Sequence, residues 1–314
     1  MAGFSATDAA FEGFRIAREK PVAILAWAGL SIVFSLISMV ALISLLGPQM
    51  AEITAASRTP SSDPSQAFAM LGSVGKLYAI VIPLALLQSS LITCAVMRAV
   101  LRPNDKGFGY LKFGGDEIRM ILMMIVMFFV WIGVGIAVFV VMMILGLIVG
   151  LATGAANAAG GGGAAAVTGL LTGLIALVLT VGLFAWIATR LSLAAPMTFA
   201  EGRVRIFESW KATEGKFWPM LGAYVLAFVM AVLVAILGFI IVMAISAVVG
   251  GGVGSAWGAM TQPDYSSFGA YFTAATVVTT LVWSIFGALY YAIILSPAAV
   301  IYRSLKGPDA STFA

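Results

Sequence analysis

Apolar residues run without a polar face through six long stretches of this chain, at about 21–47, 74–97, 120–150, 165–189, 217–249 and 270–302. Each supplies the ~20 apolar residues that carry a helix across a ~30 Å hydrocarbon core. The pattern therefore predicts six membrane-spanning helices. The first stretch exceeds the 7–15-residue apolar core of a secretory leader, so it is expected to be retained.

The polar segments between alternate stretches share a pattern. Phe11-Glu12-Gly13-Phe14-Arg15 precedes Glu19 and Lys20, Tyr110-Leu111-Lys112-Phe113-Gly114 precedes Glu117 and Arg119, and Phe207-Glu208-Ser209-Trp210-Lys211 precedes Glu214 and Lys216. The aromatic starts lie 99 and 97 residues apart. A near-constant period suggests copies of one unit, here about 1–106, 107–202 and 203–314 within a single membrane domain spanning 1–314. Each unit is expected to be an amphipathic helix at the membrane surface followed by a transmembrane hairpin. Ser5 and Asp8 form a capping-box start for the first of these helices.

Charge then orients the bundle. Fifteen of the seventeen Lys and Arg residues lie in 1–20, 98–119, 190–216 and 303–314; only Arg58 and Lys76 lie in the opposite segments. Basic residues stay on the cytoplasmic side, which predicts a multi-pass protein of a bacterial inner membrane with both termini cytoplasmic. Ten of the thirteen acidic residues share those segments, so no bare basic surface offers itself to nucleic acid. The opposite loops are plain: 48–73 is rich in Ser, Thr, Pro and Ala, while 152–166 and 249–269 are rich in glycine and read as linkers.

Chemistry is sparse. With no histidine, the commonest general base and metal ligand are absent. One cysteine, Cys94, makes no CxxC pair and no internal disulfide. No ionisable residue sits in the middle of any stretch, whereas coupled carriers place carboxylates or cations there. No cofactor, metal site or catalytic residue is expected. The deepest polar cluster is Gln88, Ser89 and Ser90; it either bonds a neighbouring helix, where Ser31, Ser35 and Ser38 share a face, or lines a cavity. Arg190, Glu201, Trp210 and Lys211 are candidate contacts for lipid or a partner, Arg190 either snorkelling to headgroups or pairing with Glu201.

One region carries a resemblance. Glu201-Gly202, Phe207, Ser209-Trp210-Lys211, Thr213, Gly215-Lys216 and Phe217-Trp218 resemble a motif of bacterial six-helix membrane proteins. These include the membrane domain attached to some glycerophosphodiester phosphodiesterases and its stand-alone relatives. The resemblance implies a membrane module and not the enzyme, whose catalytic barrel and histidines this chain lacks. The fold expected is thus an all-α bundle of six transmembrane helices. The function expected is non-enzymatic: an accessory or scaffold protein that contacts anionic membrane lipids or a membrane protein complex. An uncoupled transporter of a hydrophobic solute or lipid is the alternative, motivated by prolines 83, 196 and 297 and by the Gln88 cluster.

Overall fold

A computed structural model describes residues 4–58, 64–105, 107–158, 162–261 and 263–306. Among them the regular structure is helical throughout. It runs α1 (Ala6–Glu19), α2 (Pro21–Arg58), α3 (Pro64–Leu101), a 3₁₀ turn (Phe108–Tyr110), α4 (Gly115–Ala158), α5 (Gly162–Leu191), α6 (Ala194–Glu201), α7 (Glu208–Ala212), α8 (Phe217–Gly250), α9 (Val253–Thr261), α10 (Phe268–Tyr271) and α11 (Ala274–Lys306). Six of these helices are long and apolar enough to cross a membrane: α2, α3, α4, α5, α8 and α11. The chain is an all-α, multi-pass membrane protein.

The helices outrun the predicted stretches. The Ser- and Ala-rich loop and the glycine-rich segments read as linkers are largely helical where described, since α2 continues to Arg58 and α4 to Ala158, and α9 fills part of 249–269. Alanine has the highest helix propensity, and few of these residues compete for the backbone hydrogen bonds. Lys106, Asp63 and the Gly160–Gly161 part of the glycine tract lie outside the described residues.

The three lead-in segments differ from one another. The first is a helix of 14 residues, started as expected by Ser5, whose Oγ accepts from Asp8 N at 3.2 Å. The second is the 3₁₀ turn and the third the five-residue α7. One face of α1 is taken up by protein: Ala9, Ala10, Glu12, Gly13 and Ile16 are buried and the helix packs on α11 and α8, while Phe11 stays exposed.

Small residues make that approach possible. The buried face of α8 reads Met220, Ala223, Ala227, Ala231, Val234, Gly238, Val242 and Ser246, a three-and-four spacing that places all eight on one stripe. It meets α11, where an added Cβ at Gly238 would lie 2.8 Å from Phe286 and where Ile293 clusters with Ala227, Ala231 and Val234; α11 is the hub that also touches α1, α2, α3 and α6. Without a hydrophobic drive in lipid, such interfaces hold by close backbone packing and interhelical hydrogen bonds; one such bond joins Ser246 Oγ and Thr279 Oγ1 at 2.9 Å.

The core is concentrated at the end of the bundle that carries the termini. Every residue from Ser90 to Leu101 is buried, with Trp27, Met120, Leu193, Phe199, Met220 and Ile301 around them. In α4 and α5 the most apolar window has no buried residue. That hairpin stands against α3, α6 and α8 by its basic end, its remainder apolar and open on several sides.

The docking of α1 is testable at Gly13, where an added Cβ would sit 2.5 Å from Ile293 Cα and 2.7 Å from Ala292 O. Backbone cannot yield as a side chain can, so Gly13→Ala should cost about 1–3 kcal/mol, read as a lower Tm in detergent. An unchanged Tm would show that α1 is not seated there.

Candidate functional site at the basic end

A charged network occupies the packed end of the bundle. Its centre is Arg98, on the last turn of α3, only 2% exposed, with Glu117 of α4 at 0%. Arg98 Nη2 donates to Glu117 Oε1, and Nη1 donates to the Tyr110 carbonyl at 2.9 Å. The second oxygen of Glu117 accepts Gly114 N at 2.9 Å. This is the return half of a capping box, three residues into α4. One carboxylate thus caps α4 and neutralises the cation that ends α3.

Around this pair lie further salt links. Asp116 is approached by Arg119 at 2.8 Å, Arg102 at 3.5 Å and Arg98 at 3.8 Å. The Arg102 guanidinium lies 4.7 Å from the Phe199 ring centroid on α6. Lys112 donates to Asp105, whose carboxyl is thereby held below its ordinary range.

The turn at Phe108–Tyr110 belongs to the same assembly. Gly109 (φ 60°) and Tyr110 (φ 61°) both take the left-handed conformation, which costs a non-glycine residue about 1–2 kcal/mol. Four contacts hold it. Trp27 Nε1 donates to Gly109 O at 2.7 Å, Arg98 to Tyr110 O, and Tyr110 Oη to Pro103 O at 3.3 Å; the Lys20 ammonium lies 4.8 Å from the Tyr110 ring centroid.

Two other cations close the open carbonyls of α3. Lys20 donates to Ala99 O at 2.8 Å and Arg303, from α11, to Val100 O at 2.9 Å. The last carbonyls of a helix lack intrahelical partners and carry partial negative charge, so cations belong there.

The predicted candidates divide. Gln88 Nε2 donates to Ser31 Oγ at 3.3 Å, the interhelical bond foreseen between α2 and α3, and Ser90 Oγ donates to Leu87 O at 2.9 Å; Ser89 is half-buried beside them. Arg190 and Glu201 do not pair. Glu201 binds Arg205 Nε at 2.6 Å and Lys306 Nζ at 3.0 Å and accepts from Tyr302 Oη at 3.3 Å, tying α6 to α11. Arg190 turns the other way, 6.0 Å from the Trp186 centroid and 5.7 Å from that of Trp210, which meet edge to face at 4.9 Å. Lys211 is exposed on α7.

The Ser-Trp-Lys-x-Thr run has a local use. Ser209 Oγ donates to the Arg190 carbonyl at 2.7 Å and accepts Leu193 N at 3.2 Å; Thr213 Oγ1 reaches the same carbonyl at 3.5 Å. Together they satisfy the backbone where α5 breaks into α6. Sequence reasoning missed Arg98 as a buried site. The available signal was that Ala99-Val100-Leu101 continue the apolar run beyond it, so the cation is followed by another buried turn.

Among the described residues no group of three metal-ligating side chains comes together. Comparison with protein-family models, curated proteins and solved structures finds no match to this chain.

Two measurements check the network. Glu117→Gln takes from buried Arg98 its nearest counter-charge, leaving Asp116 at 3.8 Å and Asp105 at 4.0 Å, and should cost up to about 3–5 kcal/mol, whereas Arg98→Met with Glu117→Met together should cost far less. Equal losses in a thermal-unfolding comparison would show that the charges do not couple. Asp105 has a depressed folded pKa, so its contribution is present above the ordinary value of about 3.9 and disappears as pH falls through the lower one. Asp105→Asn should therefore flatten the acid limb of the Tm-against-pH curve; an unaltered limb would assign it to other carboxylates.

Proposed function

We propose that this chain is a non-enzymatic accessory protein of a bacterial inner membrane, with cytoplasmic termini, that contacts anionic lipids and holds a membrane protein partner on its α4–α5 hairpin. One observation carries this reading. Met120 to Leu151 is an unbroken run of 32 apolar residues, about 48 Å of helix at ~1.5 Å per residue. A ~30 Å core crossed at a steep ~40° tilt takes up roughly 39 Å. The surplus apolar length is exposed, with Leu147, Ile148 and Leu151 at 57–68%. An apolar surface that outruns the bilayer calls for protein cover.

The charged end supports the same reading from the other side. Arg98, Glu117 and Glu201 are committed to internal pairs, and Lys20 and Arg303 to helix capping, which builds a rigid frame rather than a reaction centre. The resemblance of 201–218 to six-helix membrane modules agrees with a module role. The transporter alternative leaned on Gln88, whose amide is engaged by Ser31.

Photo-crosslinking residues placed at Phe139 and Ile148 of α4 should trap a single protein species in native membranes, while the same residue at Leu25 of α2 traps lipid. Lipid adducts alone at all three positions would sink the partner claim. For the alternative, Gln88→Leu should lower stability by about 0.6–1.7 kcal/mol and leave solute flux in proteoliposomes unchanged. A lost flux would favour the carrier.

A further inference from the structure

A cavity of ≈300 Å³ opens between α4 and the α5–α6 break. Met123, Met127 and Trp131 line it from α4; Leu191, Ala194 and Ala195 line it from the other wall. Phe128, 60% exposed, stands at its rim, so it opens on the outer surface of the hairpin. At the far end Trp131 stacks on Phe184, centroids 5.6 Å apart and planes 6° apart. The volume lies at the small end of the ~300–1,000 Å³ typical of ligand pockets.

Both walls lead from this cavity to one arginine. Arg119 lies one turn before Met123 on the same face of α4. On the other wall α6 begins at Ala194 and ends at Gly202, whose added Cβ would lie 3.7 Å from Arg119 Nη1. Arg119 therefore stands one turn of α4 beyond the cavity, about 6 Å away and beside the end of α6, its side chain 40% exposed. Its only charged partner among the described residues is Asp116, which Arg98 and Arg102 also approach. Arg98, Arg102, Lys112 and Arg119 face Asp105, Asp116 and Glu117, which leaves one cation in surplus. Lipid reaches this height, because Ile118 and Leu122 on the outward face are 61% and 52% exposed.

We infer that the cavity and Arg119 together form a binding site for one anionic phospholipid drawn from the surrounding leaflet. An acyl chain fills the cavity and the phosphate meets Arg119. The methionines suit a flexible chain, since unbranched thioether side chains adapt to irregular apolar occupants. The open guanidinium edge of Arg119 offers the paired donors that phosphate oxygens accept. This inference deepens the lipid contact proposed above and is independent of the protein partner.

The full-length protein, exchanged into mixed vesicles of phosphatidylglycerol and phosphatidylcholine and then extracted, would be read by native mass spectrometry. The wild type should retain one phosphatidylglycerol per chain, preferred about fivefold over phosphatidylcholine, the worth of one cation at a lipid surface. Ala195→Phe, which fills the cavity, should cut total retention about tenfold or more. Arg119→Gln should keep a phospholipid but lose the preference. Should Ala195→Phe not fold, judged by size exclusion and helicity, Met124→Trp serves as the filling variant. Undiminished retention in the filled variant, or an unchanged preference without Arg119, would overturn the site. Photo-crosslinking at Phe139 and Ile148 reads separately: a trapped partner with no retained lipid removes the lipid site alone, and the reverse removes the partner claim alone.

Discussion

A buried guanidinium must find its counter-charge, and the one at Arg98 finds it on another hairpin. Moving an unpaired ion out of water costs several kcal/mol even after relaxation, so α3 can end where it does only if Glu117 is brought to it. That requirement fixes the start of α4 against the end of α3. It also folds the segment between them into a tight turn whose carbonyl at Tyr110 completes the arginine's bonding. Trp27, Lys20 and Phe199 then gather on the same point from α2, the α1–α2 junction and α6.

The rest of the bundle is organised by this concentration at one end. Positively charged residues here do more than mark a membrane face. Lys20 and Arg303 cap the carbonyls of α3, Lys306 and Arg205 hold Glu201, and Arg102 lies over Phe199. With those links made, the far halves of the helices need only lipid and small-residue contacts. Through the spans, α8 keeps a tight seam with α11 by setting alanine and glycine against Phe286 and Ile293, with Ser246 bonded to Thr279. By contrast α4 and α5, lined with Phe, Leu, Ile and Val, stay open.

The same division separates what this protein holds rigid from what it offers. Arg98, Glu117 and Glu201 are spent on internal bonds at the charged end, as Gln88 is on Ser31 within the membrane. Its outward spans are apolar: the long flank of α4–α5, and the methionine-lined cavity between Met123 and Trp131.

Local signals were legible in the residues themselves. Six spans follow from uninterrupted hydrophobicity, the start of α1 from Ser5 and Asp8 three residues apart, and the α2–α3 bond from polar residues at helical spacing. Each depends on neighbours within a few positions or on the solvent that surrounds them. The lead-in segments looked alike in sequence, yet only one became a full helix, because the second is drawn into a turn by Arg98 and Trp27, and the third is shortened where Ser209 clamps the α5 break. Glu201 lay eleven residues from Arg190 but paired with Lys306, more than a hundred residues away. Hydropathy therefore determined which segments enter the membrane, since burial in lipid is decided residue by residue. Only the tertiary structure decided which charge meets which, because a buried ion's partner is chosen by how the hairpins pack.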